Sequence, residues 1–360
     1  MRKTVVLLLL AWNAAAIAKG DNPTPLAKGV RGLVTRAPGA VSTDGKLEKA
    51  EWAGAFCTPV HYGHARLEDR AAMFFYQWDD RAFYVGLRAL DRHRADVGDA
   101  KSLWNGDAVE FYLDTRDGAA LRGKDWTAGA IHFFFTPFEG VRVHPRWVMR
   151  GGIATSDTKL EGVELAAMEH DWGYEVELKL PWSNFPEFRP KVGALLAMDA
   201  ELCSGDGQGR TDRTFAYGSP LSVQQPASQG LVELVERLDP ADLATVGPAC
   251  FPLWVETPWV QAERARVVAV VAIPPAFADE VGSVAVRIHD ADGRVVRTLP
   301  AKVERFGPEG LGFVRAVASW SIDDSAPNTY FVTARVESRD GKPMTAVAPR
   351  MVQEAQMTGR

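Results

Sequence analysis

From about residue 40 onward the chain alternates apolar and polar side chains with a period of two. RAFYVGLRALD, residues 81–91, puts Phe83, Val85, Leu87 and Ala89 on one face of an extended segment. YEVELKLPW, residues 174–182, sets Tyr174, Val176, Leu178 and Leu180 against Glu175, Glu177 and Lys179. In SLWNGDAVEFYLDTRDG, residues 102–118, Val109, Phe111 and Leu113 alternate with Ala108, Glu110 and Tyr112. GALLAMDAELC and AIHFFFTPF add two more runs, the second apolar on both faces, as a strand covered twice would be. No helical periodicity is sustained over ten residues in this stretch. Short strands separated by Gly, Pro and Asp turns predict an all-β protein, an antiparallel β-sandwich.

The same pattern resumes nearer the C-terminus. SVAVRIHDADGRVVRTL reads as two alternating strands joined through Asp290-Ala291-Asp292-Gly293, with Gly293 free to take the positive φ of the turn. TYFVTARVESRDGKPM repeats the design with Arg339-Asp340-Gly341 at the corner. Between the two regions, ERLDPADLATVGPACFP carries three prolines and a glycine and reads as a junction. The expected division is a leader at 1–18, a flexible lead-in at 19–39 and a first sandwich at 40–236. A linker at 237–252, a smaller second sandwich at 253–350 and a tail at 351–360 follow.

The leader rests on a short basic start, the apolar run TVVLLLLAWNAAAIA and the small residues Ala16 and Ala18. Its ~15 apolar residues fall short of the ~20 that span a bilayer, so cleavage near Ala18 and a secreted or periplasmic location are expected, with no membrane span. Losing Arg2 and Lys3 with it moves the formal net charge from −5 to −7. That balance, without a clustered basic surface, excludes nucleic acid as a partner class. Three cysteines in an oxidising compartment leave at least one unpaired. Cys57 and Cys203, both in the first sandwich, are the likelier pair, with buried free thiols equally open. Eleven tryptophans are many for 360 residues, which suits ring stacking on sugars as well as core filling.

Four segments occur in a telling order: STDGKLEKAEWAGA (42–55), YQWDDRAFYVGLRALD (76–91), LWNGDAVEFYLD (103–114) and HDWGYEVELKLPWSNF (170–185). This series resembles the family 9 carbohydrate-binding modules. The resemblance covers about 200 residues and implies a DOMON-like β-sandwich without catalytic activity, binding a polysaccharide or oligosaccharide. The hairpins near the C-terminus resemble more weakly the Ig-like domains of secreted bacterial proteins, a module that would offer a surface to protein partners.

The resemblance also implies residues. Trp104 matches one of two tryptophans that sandwich a sugar ring, and Glu110 matches the carboxylate that accepts sugar hydroxyls; otherwise Glu110 is a solvated strand residue. Asn105 beside Trp104 offers an amide. The second tryptophan belongs in LSVQQPASQG (221–230), where Gln224 and Gln225 stand and no aromatic does. Phe134 replaces the expected arginine, with His132 nearby, and Arg210 or Arg213 is left to supply a cation. Trp52, Trp78, Trp172 and Trp182 fall where the family closes its core. Calcium is implied for the family, but no ligand set is nameable: Asp44, Asp79, Asp80, Asp206 and Asp212 all sit in turn contexts and no DxDxDG loop occurs.

Two other classes compete. The chain can be a structural or interaction module of an envelope or extracellular assembly that has lost its sugar. Catalysis would need a carboxylate pair such as Glu110 with Asp107, whose separation of three directs them to opposite faces. A haem-bearing relative of the fold would need an axial Met and His, for which Met73, Met149, Met168 and His132 are available.

Overall fold

The computed structural model describes residues 25–61, 70–96, 102–116, 126, 129–137, 144–150, 153–155, 160–256, 266–321 and 329–353. The leader at 1–18 lies outside them.

The first half of the N-terminal unit supplies β1 (Gly32–Arg36), β2 (Phe56–Val60), β3 (Ala71–Trp78), β4 (Ala82–Leu90), β5 (Ala108–Asp114), β6 (Ala130–Phe135) and β7 (His144–Arg150). Its second half adds β8 (Ile153–Thr155), β9 (Glu164–His170), β10 (Gly173–Pro181), β11 (Leu195–Gly205), β12 (Arg210–Phe215) and β13 (Gly230–Val235). One continuous ladder runs β8-β7-β6-β5-β11-β13-β1-β3-β4-β10-β9, with β12 paired to β11 and β2 to β3. The pairs are antiparallel except at β1, which lies parallel to both β13 and β3. There the ladder folds over on itself, so that Phe83 of β4 meets Phe111 of β5 with ring centroids 5.8 Å apart. The alternation read from the sequence holds: Val109, Phe111, Leu113, Val85, Leu87, Val176 and Leu178 all point into this core.

Two segments differ from the sequence reading. Within the lead-in, Gly32–Arg36 is a buried strand, and Leu33 and Val34 belong to the core. Five residues flanked by Gly, Pro and Arg are too few to show a period, and their partners lie about 40 and 200 positions away. The linker contains a helix, α1 (Leu243–Cys250), which buries Leu243, Val246 and Cys250 in the core. It lies so close to the last strand that a Cβ on Gly247 would come within 2.0 Å of Thr345 Oγ1.

The C-terminal unit contains β14 (Leu253–Glu256), β15 (Arg266–Ile273), β16 (Val281–His289) and β17 (Val295–Pro300). β18 (Lys302–Arg305), β19 (Val314–Ser321), β20 (Thr329–Ser338) and β21 (Pro343–Gln353) complete it. They form two four-stranded antiparallel sheets, β14-β15-β19-β18 and β17-β16-β20-β21. The two hairpin turns fall where the sequence puts them, with Gly293 at φ 81° and Gly341 at φ 78°.

The units share an apolar face. On β15, Val267, Ala269 and Val271 point into the main core, whereas Val268, Val270 and Ala272 join Met73, Phe75 and Cys57 of the first unit. All eight residues of β3 are therefore buried, not alternate ones. Glu175 and Glu177 are also buried, Glu177 beneath the 44–52 segment of the first unit itself. Glu175 pairs with Arg88, and Glu177 accepts from Trp52 Nε1 at 2.8 Å and from the Asp44 and Gly45 backbone amides.

The three cysteines are free and buried. Cys57 faces the second unit and Cys203 the opposite outward face of the sandwich, so the expected pairing is not made.

Candidate functional site

On the outward face of β6, β5 and β11, side chains line up in cross-strand rows. Phe134, Glu110 and Glu201 form one row; His132, Tyr112 and Asp199 form the next. The parity that sends Val109 and Phe111 inward turns Glu110 and Tyr112 outward. Outward does not mean solvated here: Glu110 is 2% exposed and Glu201 0%.

Two glutamates directly opposite one another repel. The surroundings resolve this with cations. Arg213 grips Glu201 through two bonds of 2.5 and 2.7 Å. Arg210 Nη1 lies 3.3 Å from Glu110 and 3.5 Å from Glu201. His132 Nε2 stands 3.0 Å from Glu110 Oε2. The Tyr112 hydroxyl is 2.8 Å from Glu110 Oε2 and 2.9 Å from Glu201 Oε2, so its single proton is shared between two acceptors. Burial alone would raise the Glu110 carboxyl, but His132, Tyr112 and Arg210 outweigh it and hold it below the usual range. Glu201 moves the other way, raised by burial and by the charge of Glu110 against the pull of Arg213. Burial and both carboxylates push the Cys203 thiol well up, leaving it a weak donor 3.7 Å from Glu110 Oε1.

Trp104 sits at one end of this face in a 3₁₀ turn, Leu103–Asn105, closed by Asn105 N donating to Ser102 O at 2.9 Å. Asp107 anchors the turn by accepting from Ala95 N at 2.7 Å and Gly205 N at 2.9 Å. Burial pushes its carboxyl up to about 7. Its oxygens are thus committed to backbone amides and not paired with Glu110. The Trp104 ring is partly exposed and lies 5.6 Å from Phe134. Among the described residues, the Asn105 side-chain amide makes no hydrogen bond.

His132 is fully buried. It stacks on Tyr112 at 4.2 Å and is flanked by Phe134 at 4.9 Å, so it positions Glu110 from beneath. Over it lies a ring that sequence reasoning missed: Trp126 stacks on His132 at 6.0 Å and meets Tyr112 at 6.3 Å. Nothing in the isolated tryptophan of RGKDWTAGA signals this. The segment 221–230 reaches the same end of the face, where Val223 packs against Tyr112 and Trp126. Ser222 Oγ also donates to Asp199 at 2.8 Å. Gln229, from the same segment, has both amide atoms buried without a partner among the described residues.

The other candidates are dispersed. Asp44, Asp79 and Asp206 accept from amides of their own turns; Asp80 pairs with Arg36, and Asp212 lies 3.4 Å from His61. Among the described residues, donor atoms of Glu110, Glu201 and Cys203 lie within 4.8 Å of one another. Guanidinium groups already occupy those oxygens, which does not suit a cation. Met73 lies in the apolar interface and Met168 is exposed on β9, neither beside His132; the Met149 side chain lies outside the described residues. Trp52, Trp78 and Trp182 are buried as expected. Trp172 is not a core residue: it is partly exposed and stacks on His170 at 4.4 Å.

The class this fold and face define is a β-sandwich with aromatic rings and charged groups on an outward sheet face. A family model described as Carbohydrate family 9 binding domain-like matches residues 43–237, just over half of the chain. The chain belongs to that family. No curated protein matches it. Among solved structures it is similar to a carbohydrate binding module family 9 from Caldicellulosiruptor kristjanssonii in complex with cellotriose. That match has 17% identity and a TM-score of 0.45, covering 58% of this chain and 96% of the other. The same module in complex with glucose matches at 17% identity and a TM-score of 0.44, covering 57% and 96%. Among the described residues, no helix is long and apolar enough to cross a membrane.

Proposed function

We propose that the protein is a secreted, non-catalytic carbohydrate-binding protein that stacks a sugar ring on Trp104 and takes its hydroxyls on Glu110, Asn105 and Arg210. Family membership supports the ligand class. The observation that carries the site is the state of Glu110: Oε2 is held by His132 and Tyr112, while among the described residues Oε1 has only the long contacts to Arg210 and Cys203. A carboxylate oriented by one oxygen and undersubscribed at the other suits a hydroxyl donor arriving beside an aromatic ring. The Glu110 and Glu201 carboxylates share one hydroxyl and lie under guanidinium groups, an arrangement for binding and not for protonating a glycosidic bond.

Calorimetric titration with soluble oligosaccharides and pull-down on insoluble polysaccharides test this. Trp104→Ala should weaken binding by about tenfold or more with little change in melting temperature. Absence of binding by the unaltered chain at millimolar sugar would sink the proposal. One observation favours a second reading, an interaction module that has lost its sugar: Glu110 is only 2% exposed. Cross-linking in the native host that captures a protein partner, with no sugar bound, supports that reading.

A further inference from the structure

β12 carries an aromatic ring outside every core. Phe215 is partly exposed and packs into none of the four apolar clusters of the described residues. Register fixes where it stands: Phe215 is opposite Glu201, Glu201 opposite Glu110, and Glu110 opposite Phe134. Directly paired residues share a face, so the outward row across β6, β5, β11 and β12 reads Phe134, Glu110, Glu201, Phe215. Three strand spacings of ~4.8 Å make that row about 14 Å long. Trp104 lies against Phe134 at the β6 end, 5.6 Å between ring centroids. Among the described residues of this face Phe134, Tyr112 and Trp126 are buried, so Trp104 and Phe215 are the rings that solvent reaches.

Between these rings the buried glutamates are roofed by guanidinium groups. Arg213, 27% exposed, spends on Glu201 two of the five N–H groups a guanidinium has. Its Cζ lies 4.8 Å over the Phe215 ring, so carboxylate, cation and ring brace one another. Arg210, 25% exposed, reaches Glu110 and Glu201 through Nη1 alone. The other N–H groups of both arginines can donate to hydroxyl and ring oxygens of a ligand. Two cations over two carboxylates leave the patch little net charge, so an acidic ligand gains little there.

β12 is also pinned from behind. Thr214 Oγ1 and His61 Nδ1 lie 2.9 Å apart, and Arg70 Nη1 donates to Thr211 Oγ1 at 3.0 Å. A strand at the margin of the ladder is thereby held as a rigid platform.

We propose that Phe215 and Arg213 form a second sugar subsite beside that of Trp104 and Glu110, so that this face takes an uncharged oligosaccharide of two or more linked residues laid across the strands. Phe215 contacts the second ring and Arg213 donates to its hydroxyls. A single sugar, shorter than the row, leaves one aromatic ring and one guanidinium uncontacted. The second subsite rests on the proposed function and extends it.

The full chain is titrated by calorimetry with glucose, xylose, mannose and galactose, and with the β-1,4-linked trisaccharide of each. For the sugar that binds best, the trisaccharide should bind about tenfold or more tighter than the monosaccharide. Phe215→Ala should bring that ratio close to one at an unchanged melting temperature, because the ring belongs to no core; Phe215→Tyr, which retains the ring, should retain the ratio. Trp104→Ala should weaken both sugars. A ratio near one in the unaltered chain, or a ratio indifferent to Phe215→Ala, overturns the proposal while Trp104-dependent binding leaves the proposed function standing. Trigalacturonate bound more tightly than every neutral trisaccharide overturns the uncharged assignment. Failure of every sugar to bind is failure of the proposed function, and the second subsite falls with it.

Discussion

The first sandwich has two outward faces, and both are buried by opposite chemistry. Beneath the second unit, the face of β2, β3 and β4 presents Cys57, Met73 and Phe75, and β15 answers with Val268, Val270 and Ala272. The face of β5, β6 and β11 presents Glu110, His132, Glu201 and Asp199, each 2% exposed or less. The first face is non-directional: any well-shaped apolar partner satisfies it. Every group on the second needs its own partner in a defined direction, as the Glu201 pair with Arg213 and the Asp199 bond to Ser222 illustrate. A strand pattern specifies which side chains face outward, but the covering layer decides whether that face is a domain interface or a network of charges.

The comparison is broken most severely at the apolar face. Val270→Asp would place an unpaired charge where the native side chain is 0% exposed, at a cost of several kcal/mol, about 3 to 5. Urea unfolding followed by fluorescence and far-UV circular dichroism should show both units losing structure in one earlier transition. Two separate transitions, with the first unit unaffected, would mean that the face is not a structural interface.

On the polar face the larger effect comes from removing one partner only. Arg213→Met leaves Glu201 without its bidentate partner and should cost about 2 kcal/mol, less than a fully buried pair because the arginine is 27% exposed. Adding Glu201→Leu should recover most of the loss in the same unfolding assay. A double variant no better than the single one would show that the pair is not a unit.

The smallest effect is on pH dependence. Burial pushes Asp199 up to about 7 despite its bonds from Tyr217, Ser222, Ala200 and Gly218, and Asp107 lies at about 7 as well. Their ordinary value is 3.8, so between about pH 4 and 7 the folded chain holds protons that the unfolded chain releases. Their stabilising protonation is complete below that window and is lost as pH rises through about 7. Glu110 has the opposite sign: its contribution is present above 4.5 and is lost as pH falls through its lowered value. Melting temperature should fall by a few degrees between pH 5 and 8, and Asp199→Asn should flatten that slope. An unchanged slope in the variant would remove Asp199 from the account.

Much of the fold was legible along the chain because period-two alternation is local. Phe83, Val85, Leu87, Tyr174, Val176 and Leu178 reach the core from their parity alone, and the turns at Gly293 and Gly341 follow from glycine's access to positive φ. The family was legible too, from motifs spread over 42–185. β1 was not, since five residues show no period and their burial comes from strands distant in sequence. Glu175 and Glu177 looked solvent-facing but are buried against groups distant in sequence, Arg88 and the segment carrying Asp44, Gly45 and Trp52.

The candidate site divides likewise. The family resemblance singled out Trp104, Glu110 and His132, and strand parity turned Glu110 outward. That Glu110 is clamped from beneath by His132 and Tyr112 depended on cross-strand register, which no single segment encodes. Trp126 and Glu201 joined the cluster through loop placement and the β5 to β11 pairing. By itself the sequence determined most of the strands and their inward faces, which depend on neighbours two residues apart, and the sandwich family, through motifs spread over 42–185. Only the tertiary structure decided which outward faces are covered and which carboxylates share the Tyr112 hydroxyl. Those properties depend on groups brought together from some 200 positions apart, as Arg88 and Leu311 are.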